Sequence, residues 1–275
     1  MKLPRPPDWI VYLGVVFALV AVAAAEQEKA DAPPAPPPIQ EADATLSASS
    51  SLKPSMVKAV PAAAQESITG TAFSVSDVGV WLTARHVVDG CHTAAVMVAE
   101  GRGVAAHVIA DRSTDVAVLT TAGGAPPLPL ALDMKLTVGQ LGYHPGFPQG
   151  APGEAASRLL GQDTLRGPSR GSAPQKVLAW AQVGRTDGLK GSLAGLSGAP
   201  VLDQAGRVVG VTLAESPRRG RIYSAPPEAI RAALALARQK PSGFARGETI
   251  TTENYGRAAD DLRRDLRIAQ VVCIS

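Results

Sequence analysis

The stretch Gly195-Leu196-Ser197-Gly198-Ala199-Pro200 decides how the chain is read. It places a serine between two glycines, with the apolar pair Val201-Leu202 directly behind it. Glycine tolerates positive φ and leaves neighbouring N–H groups uncovered. A turn of this kind can aim two amide hydrogens at one point beside the serine hydroxyl, which is what a developing oxyanion needs. Serine-bearing glycine turns are common, so the reading depends on whether a base and an orienting acid lie elsewhere in the chain.

Two upstream stretches supply them. Trp81-Leu82-Thr83-Ala84-Arg85-His86-Val87-Val88-Asp89-Gly90 is a strand running into a histidine at a turn. Asp111-Arg112-Ser113-Thr114-Asp115 is a polar turn whose last aspartate begins the apolar run Val116-Ala117-Val118-Leu119. The order His, Asp, Ser is one of several that assemble the same triad. With these three motifs the chain resembles the trypsin-like (chymotrypsin-fold) serine proteases. It is most similar to the bacterial HtrA-type branch, over roughly Ser67 to Gln239.

The resemblance implies roles for particular residues. Ser197 is the nucleophile, which needs an adjacent base because an unaided hydroxyl is weak. His86 is that base, and Asp115 holds its tautomer. Asp111 is the fallback for the acid, and Asp89 also lies near the histidine. The N–H groups of Gly195 and Ser197 form the oxyanion hole, and Leu196 sits on the leaving-group side. Ala199 stands where relatives carry a second glycine. Gly191 forms the floor of the primary substrate pocket, walled by Thr212 to Ala214 and by Tyr223 to Ala225. Gly191 brings no carboxylate, so a small or medium apolar side chain before the scissile bond is expected, although Glu215 could reach the pocket. His144, in a loop that borders the cleft in relatives, is a candidate for substrate contact.

Composition is that of an ordinary globular protein. The chain has 275 residues, 45% hydrophobic and 19% charged, with a formal charge of only +3. No block of like charge points to nucleic acid. The chemistry calls for no cofactor, and His92, His107 and His144 show no metal-ligand spacing. The expected partner is a protein or peptide substrate. Lys2 and Arg5 precede the uncharged run Trp9 to Ala25, which ends Ala23-Ala24-Ala25. This describes a secretory signal peptide or a retained inner-membrane anchor. Either one delivers the rest to the periplasm or cell envelope. Residues 26–66, with prolines clustered at 33–38, read as a disordered linker. Cys91 and Cys273 are the only cysteines; in an oxidising compartment they invite one disulfide, the alternative being two buried thiols.

Short apolar segments separated by Gly, Asp and Pro turns run from Thr69 to Ala225, and indicate an all-β protein. The resemblance implies two six-stranded antiparallel barrels with the site in the cleft between them. No strand is read between Tyr143 and Val177. Pro226-Pro227-Glu228 starts a helix whose apolar face is Ile230, Leu234 and Ala237. The protease domain is accordingly placed at 67–240, followed by a C-terminal extension at 241–275. In that extension Asp260 to Ala269 has a helical pattern and Val271 to Ile274 reads as a strand, expected to pack on the first barrel through Cys273 and Cys91. It is too short for the PDZ domain that HtrA-type proteins carry. A second reading from another class is a latent, protease-fold binding or scaffold protein.

Overall fold

The computed structural model describes residues 57–58, 69–110, 112–166, 174–243 and 245–274. The expected signal or anchor segment, nearly all of the linker and Asp111 lie outside them. Among the described residues no helix is long and apolar enough to cross a membrane.

Two closed barrels make up the fold. The first comprises β2 (Thr69–Ser76), β3 (Val80–Ala84), β4 (Thr93–Ala99), β5 (Arg102–Ile109), β6 (Val116–Thr121) and β13 (Ile268–Ile274). β13 lies between β2 and β4, antiparallel to both, with Ile268 opposite Phe73 and Cys273 opposite Ala94. The C-terminal strand is thus a stave of the first barrel. Without it, β2 and β4 would each present an unpaired edge, which β-proteins avoid. The second barrel is built from β7 (Leu141–Gly146), β8 (Gly153–Arg166), β9 (Pro174–Arg185), β10 (Pro200–Leu202), β11 (Val208–Ser216) and β12 (Arg221–Ala225), closed by β8 against β9. A two-residue strand, β1 (Val57–Lys58), runs parallel to the end of β8. These two residues are the described part of the expected linker.

β8 is the strand that the hydrophobic pattern hides. Its inward residues Ala155 and Ser157 are small or polar, yet both are fully buried. A strand read from bulky apolar alternation is invisible when its core face is filled by neighbours' side chains, here Trp180 and Leu178. Of the buried polar residues of this barrel, the Tyr143 and Tyr223 hydroxyls have no partner among the described residues, while His144, Ser157 and Thr212 are paired. Ser157 Oγ donates to the Gly142 carbonyl at 3.2 Å, so His144 Nε2 must donate to Ser157 Oγ at 2.6 Å, and His144 Nδ1 accepts from Thr212 Oγ1 at 2.9 Å. His144 is fully buried, edge-on to Trp180. It does not border the cleft as expected: on β7 its side chain points into the barrel.

Among the described residues there are three α-helices: α1 (Arg85–Val88), α2 (Pro227–Leu236) and α3 (Tyr255–Arg264). α2 begins at its proline pair as expected and ends where Arg238 adopts φ of 52°. α3 starts five residues earlier than its charge pattern suggests, because Tyr255, Gly256, Ala259 and Leu262 form the buried face. Leu266, at φ of 57°, turns the chain into β13. Arg263 on α3 donates to the carbonyls of Gly146 and Gly153, at the two ends of the β7–β8 connection, and pairs with the buried Glu154 at 2.9 Å. Burial pushes the Glu154 carboxyl up, against the pull of Arg263. Cys91 and Cys273 form a disulfide that bridges 182 positions, fastening the segment after α1 to β13.

Two outcomes follow. Replacing both cysteines by serine should lower stability by about 2–5 kcal/mol, the range expected for so long a loop, measured by urea unfolding of the oxidised protein and the double variant. Burial holds His144 down at about 3, from an ordinary value of 6.5. The unfolded chain therefore binds a proton that the folded chain refuses, and stability should fall as pH drops from about 6.5 towards 3, by at most ~1.4 kcal/mol per pH unit. His144→Asn should shrink that slope; an unchanged slope would contradict the assignment.

Candidate active site

α1 holds His86 by burying its neighbours. Val87 and Val88 are inserted into the core, which leaves the His86 side chain 42% exposed on the opposite face. The turn before β6 lies against it. Asp115 accepts from the His86 backbone N–H through Oδ1 at 3.0 Å and meets the ring Nδ1 through Oδ2 at 2.8 Å. The same turn is fixed by Arg85, whose backbone N–H donates to the Asp115 carbonyl and whose Nε donates to the Thr114 carbonyl. A carboxylate only accepts, so Nδ1 carries the proton and the lone pair is left on Nε2.

Ser197 comes from the second barrel, on the turn leading into β10. Gly195 and Gly198 have φ of 95° and 89°. A Cβ on Gly195 would stand 2.4 Å from the Phe147 carbonyl, and one on Gly198 2.0 Å from the Thr71 carbonyl. Both glycines are therefore required by conformation and by space. The turn is clasped by Thr71 on β2, fully buried. Thr71 N–H donates to the Ser197 carbonyl at 2.8 Å, and its hydroxyl donates to the Gly195 carbonyl at 2.8 Å while accepting from Phe147 N–H at 3.1 Å.

Thr71 thus holds the carbonyls of both Gly195 and Ser197; the N–H groups of these two residues belong to the preceding peptide planes. Neither N–H has an acceptor among the described residues. The amides of Leu196, Gly198 and Ala199, by contrast, donate to Leu193, Thr212 and Leu196 carbonyls. Ser197 Oγ donates to the Leu213 carbonyl at 3.2 Å, and no hydrogen bond joins it to His86. The turn can thus offer two unpaired donors beside a hydroxyl, and the first barrel can offer an oriented imidazole.

The remaining expected residues are placed as follows. Leu196 is 1% exposed, packed with Leu193, Trp180 and Val201, so it does not reach the leaving-group side. The reverse turn closed by Leu196 N–H on Leu193 carries it inward. The Ala199 methyl is fully buried in the same cluster. Gly191 is exposed, with φ of 77° and its carbonyl bonded by Arg185 at 2.9 Å. The side chains of Thr212 and Tyr223 are buried, and Ala214 is half-buried. His92 and His107 are exposed, distant in role from this site.

Gln149 went unnoticed in the sequence, and Glu215 was named there only as able to reach the pocket. Gln149, on the β7–β8 connection, has φ of 56°; its N–H donates to the Ala194 carbonyl at 2.5 Å and its Nε2 donates to Lys190 and Ser192 carbonyls at 2.7 and 2.8 Å. Glu215 Oε1 accepts from Leu193 N–H at 2.6 Å and from Ser192 Oγ. Left-handed backbone at a residue other than glycine persists only where its surroundings fix it. No local sequence pattern announces either.

Comparison with known proteins agrees with this architecture. No curated protein matches the chain. Among solved structures, the active form of the Rv3671c protease from M. tuberculosis is 20% identical, with 70% of this chain and 93% of that chain covered and a TM-score of 0.50. The MamO protease domain from Magnetospirillum magneticum is 17% identical over 60% of this chain and 93% of that one, TM-score 0.45. The HtrA-type protease AlgW with a decapeptide is 22% identical over 62% and 51%, TM-score 0.47. The first of these likenesses is one of fold. A model of the trypsin-like peptidase domain matches residues 70–211, about half of the sequence, and the chain belongs to that family.

Proposed function

We propose that this member of the family is an exported serine endopeptidase, working through Ser197, His86 and Asp115. The observation that carries the reading is the double grip of Asp115 on His86, through ring and backbone, which leaves a half-exposed Nε2 free to act as a base. For reaction, Ser197 Oγ leaves the Leu213 carbonyl and takes Nε2 as its acceptor. Ser197 Oγ then attacks the peptide carbonyl while Nε2 takes its proton. The oxyanion forms opposite the unpaired amides of Gly195 and Ser197. His86 returns the proton to the departing amine, and the acyl-enzyme is hydrolysed by water activated in the same way. Residues 9–25 and the Cys91–Cys273 disulfide support a place in an oxidising compartment outside the cytoplasm. The three motifs support kinship with the HtrA-type branch.

Labelling with a fluorophosphonate probe tests the reaction. Wild type should be labelled at Ser197 and Ser197→Ala should not; an unlabelled, folded wild type favours the latent scaffold. Asp115→Asn should keep the fold and lower kcat about 10⁴-fold, since it favours the wrong tautomer. Thr71→Val strands the Gly195 carbonyl and the Phe147 N–H, and should cost about 1–3 kcal/mol in thermal or urea unfolding. Gln149→Ala, read by steady-state kinetics, should lower kcat about tenfold with little change in KM, because it loosens the turn carrying the amides.

A further inference from the structure

Ser197 as nucleophile, the reading on which this inference rests, needs the Gly195 amide held at a fixed angle. That angle is set from outside the turn. The Ala194 carbonyl and the Gly195 N–H share one planar, trans peptide. Gln149 N–H donates to that carbonyl at 2.5 Å, which turns the Gly195 N–H the opposite way. Gln149 Nε2 holds the Lys190 and Ser192 carbonyls of the same loop. What holds Gln149 itself, at φ of 56°, is the connection on which it sits.

That connection is closed by one side chain of the C-terminal extension. Arg263 Nη1 donates to the carbonyls of Gly146 and Gly153 at 3.2 and 3.1 Å, on either side of Gln149. Its Nη2 pairs with Glu154 at 2.9 Å and with Asp260, one turn earlier on α3. All four terminal N–H groups of the guanidinium are thereby used. Glu154 passes the hold on to the start of the loop. Its Oε1 accepts from Thr186 Oγ1 at 2.9 Å, and its carbonyl accepts from Thr186 N–H at 3.0 Å. Thr186 is the first residue after β9. The Arg263 and Glu154 side chains are only 9% and 2% exposed, so little water competes for these bonds. The loop 186–196 is therefore braced at its start and at its end by groups that meet on one guanidinium. We propose that Arg263 is a positioning residue for the reaction, holding the Gly195 amide in place from α3 without touching substrate. A counter-charge for Glu154 could equally be a lysine. The four acceptors could not be served by one, because an ammonium has three donors and no planar fork.

The test is steady-state hydrolysis of p-nitrophenyl acetate, an activated ester with no sequence requirement, by the full, oxidised chain. It compares wild type, Arg263→Lys, Glu154→Gln combined with Arg263→Met, and Arg264→Ala. The combined variant removes the buried carboxylate together with its partner, so no unpaired charge is left at Glu154. Fluorophosphonate labelling and the downfield proton resonance of His86 Nδ1–H are recorded for each, well below its melting midpoint. Arg263→Lys and the combined variant should lose about ten- to hundredfold in kcat with KM little changed. Both should keep the His86 resonance, since Asp115 is untouched. Arg264→Ala should match wild type, its side chain being exposed and paired only with Asp261. Wild-type kcat in Arg263→Lys or in the combined variant overturns the positioning role alone. So does a loss confined to KM, a loss accompanied by disappearance of the His86 resonance, or an equal loss in Arg264→Ala. No labelling of folded wild type overturns the hydrolase reading, and the role of Arg263 with it.

Discussion

Thr71 is the point at which the two barrels become one site. It lies on β2 of the first barrel, and its backbone and side chain together engage three groups of the second: the carbonyls of Ser197 and Gly195, and the N–H of Phe147. Thr71 itself is fully buried and its side-chain bonds are part-buried, so an unmade partner would carry part of its desolvation penalty. Holding these carbonyls fixes the conformation of the turn, in which the Gly195 and Ser197 amides have no acceptor among the described residues. Only glycine fits the resulting conformation at 195 and 198. The chemistry proposed for Ser197 therefore depends on a threonine more than a hundred residues upstream (124 to Gly195).

The C-terminal segment is tied into the same arrangement from a third direction. β13 closes the first barrel, and its disulfide holds the end of the segment that carries His86. α3 holds the second barrel through Arg263, whose guanidinium bonds both ends of the connection on which Gln149 sits. Gln149 in turn braces the loop before Ser197. The last residues of the chain thus support both halves of the site, at distances that side-chain packing and hydrogen bonds can transmit only if each link is rigid.

How much of this could be read in advance follows from how local each signal is. His86, Asp115 and the Gly195–Pro200 turn were legible because their residue types and short-range spacing are dictated by chemistry and by φ. The bulky strands were legible from apolar runs, and the disulfide from an even cysteine count in a chain expected to be exported. β8 was not, since Ala155 and Ser157 borrow their burial from Trp180 and Leu178 across the barrel. The start of α3 was missed because its buried face relies on Tyr255 stacking against Tyr143. Leu196 and His144 were misplaced for one reason: a turn or a strand reverses which way a side chain faces, and one residue of offset moves it from cleft to core. Gln149, Glu215 and Thr71 act through partners 22 or more positions away, and a pattern read along the chain carries no trace of such pairings.

A crystal structure of the protein inactivated by a peptidyl phosphonate would test the central claim most directly. The account predicts phosphorus bonded to Ser197 Oγ, one phosphonyl oxygen about 2.7–3.1 Å from both the Gly195 and Ser197 nitrogens, and His86 still gripped by Asp115 with Nε2 turned to the adduct. A phosphonate on another residue, or amides of Gly195 and Ser197 bonded to protein carbonyls with the oxyanion unheld, would contradict it.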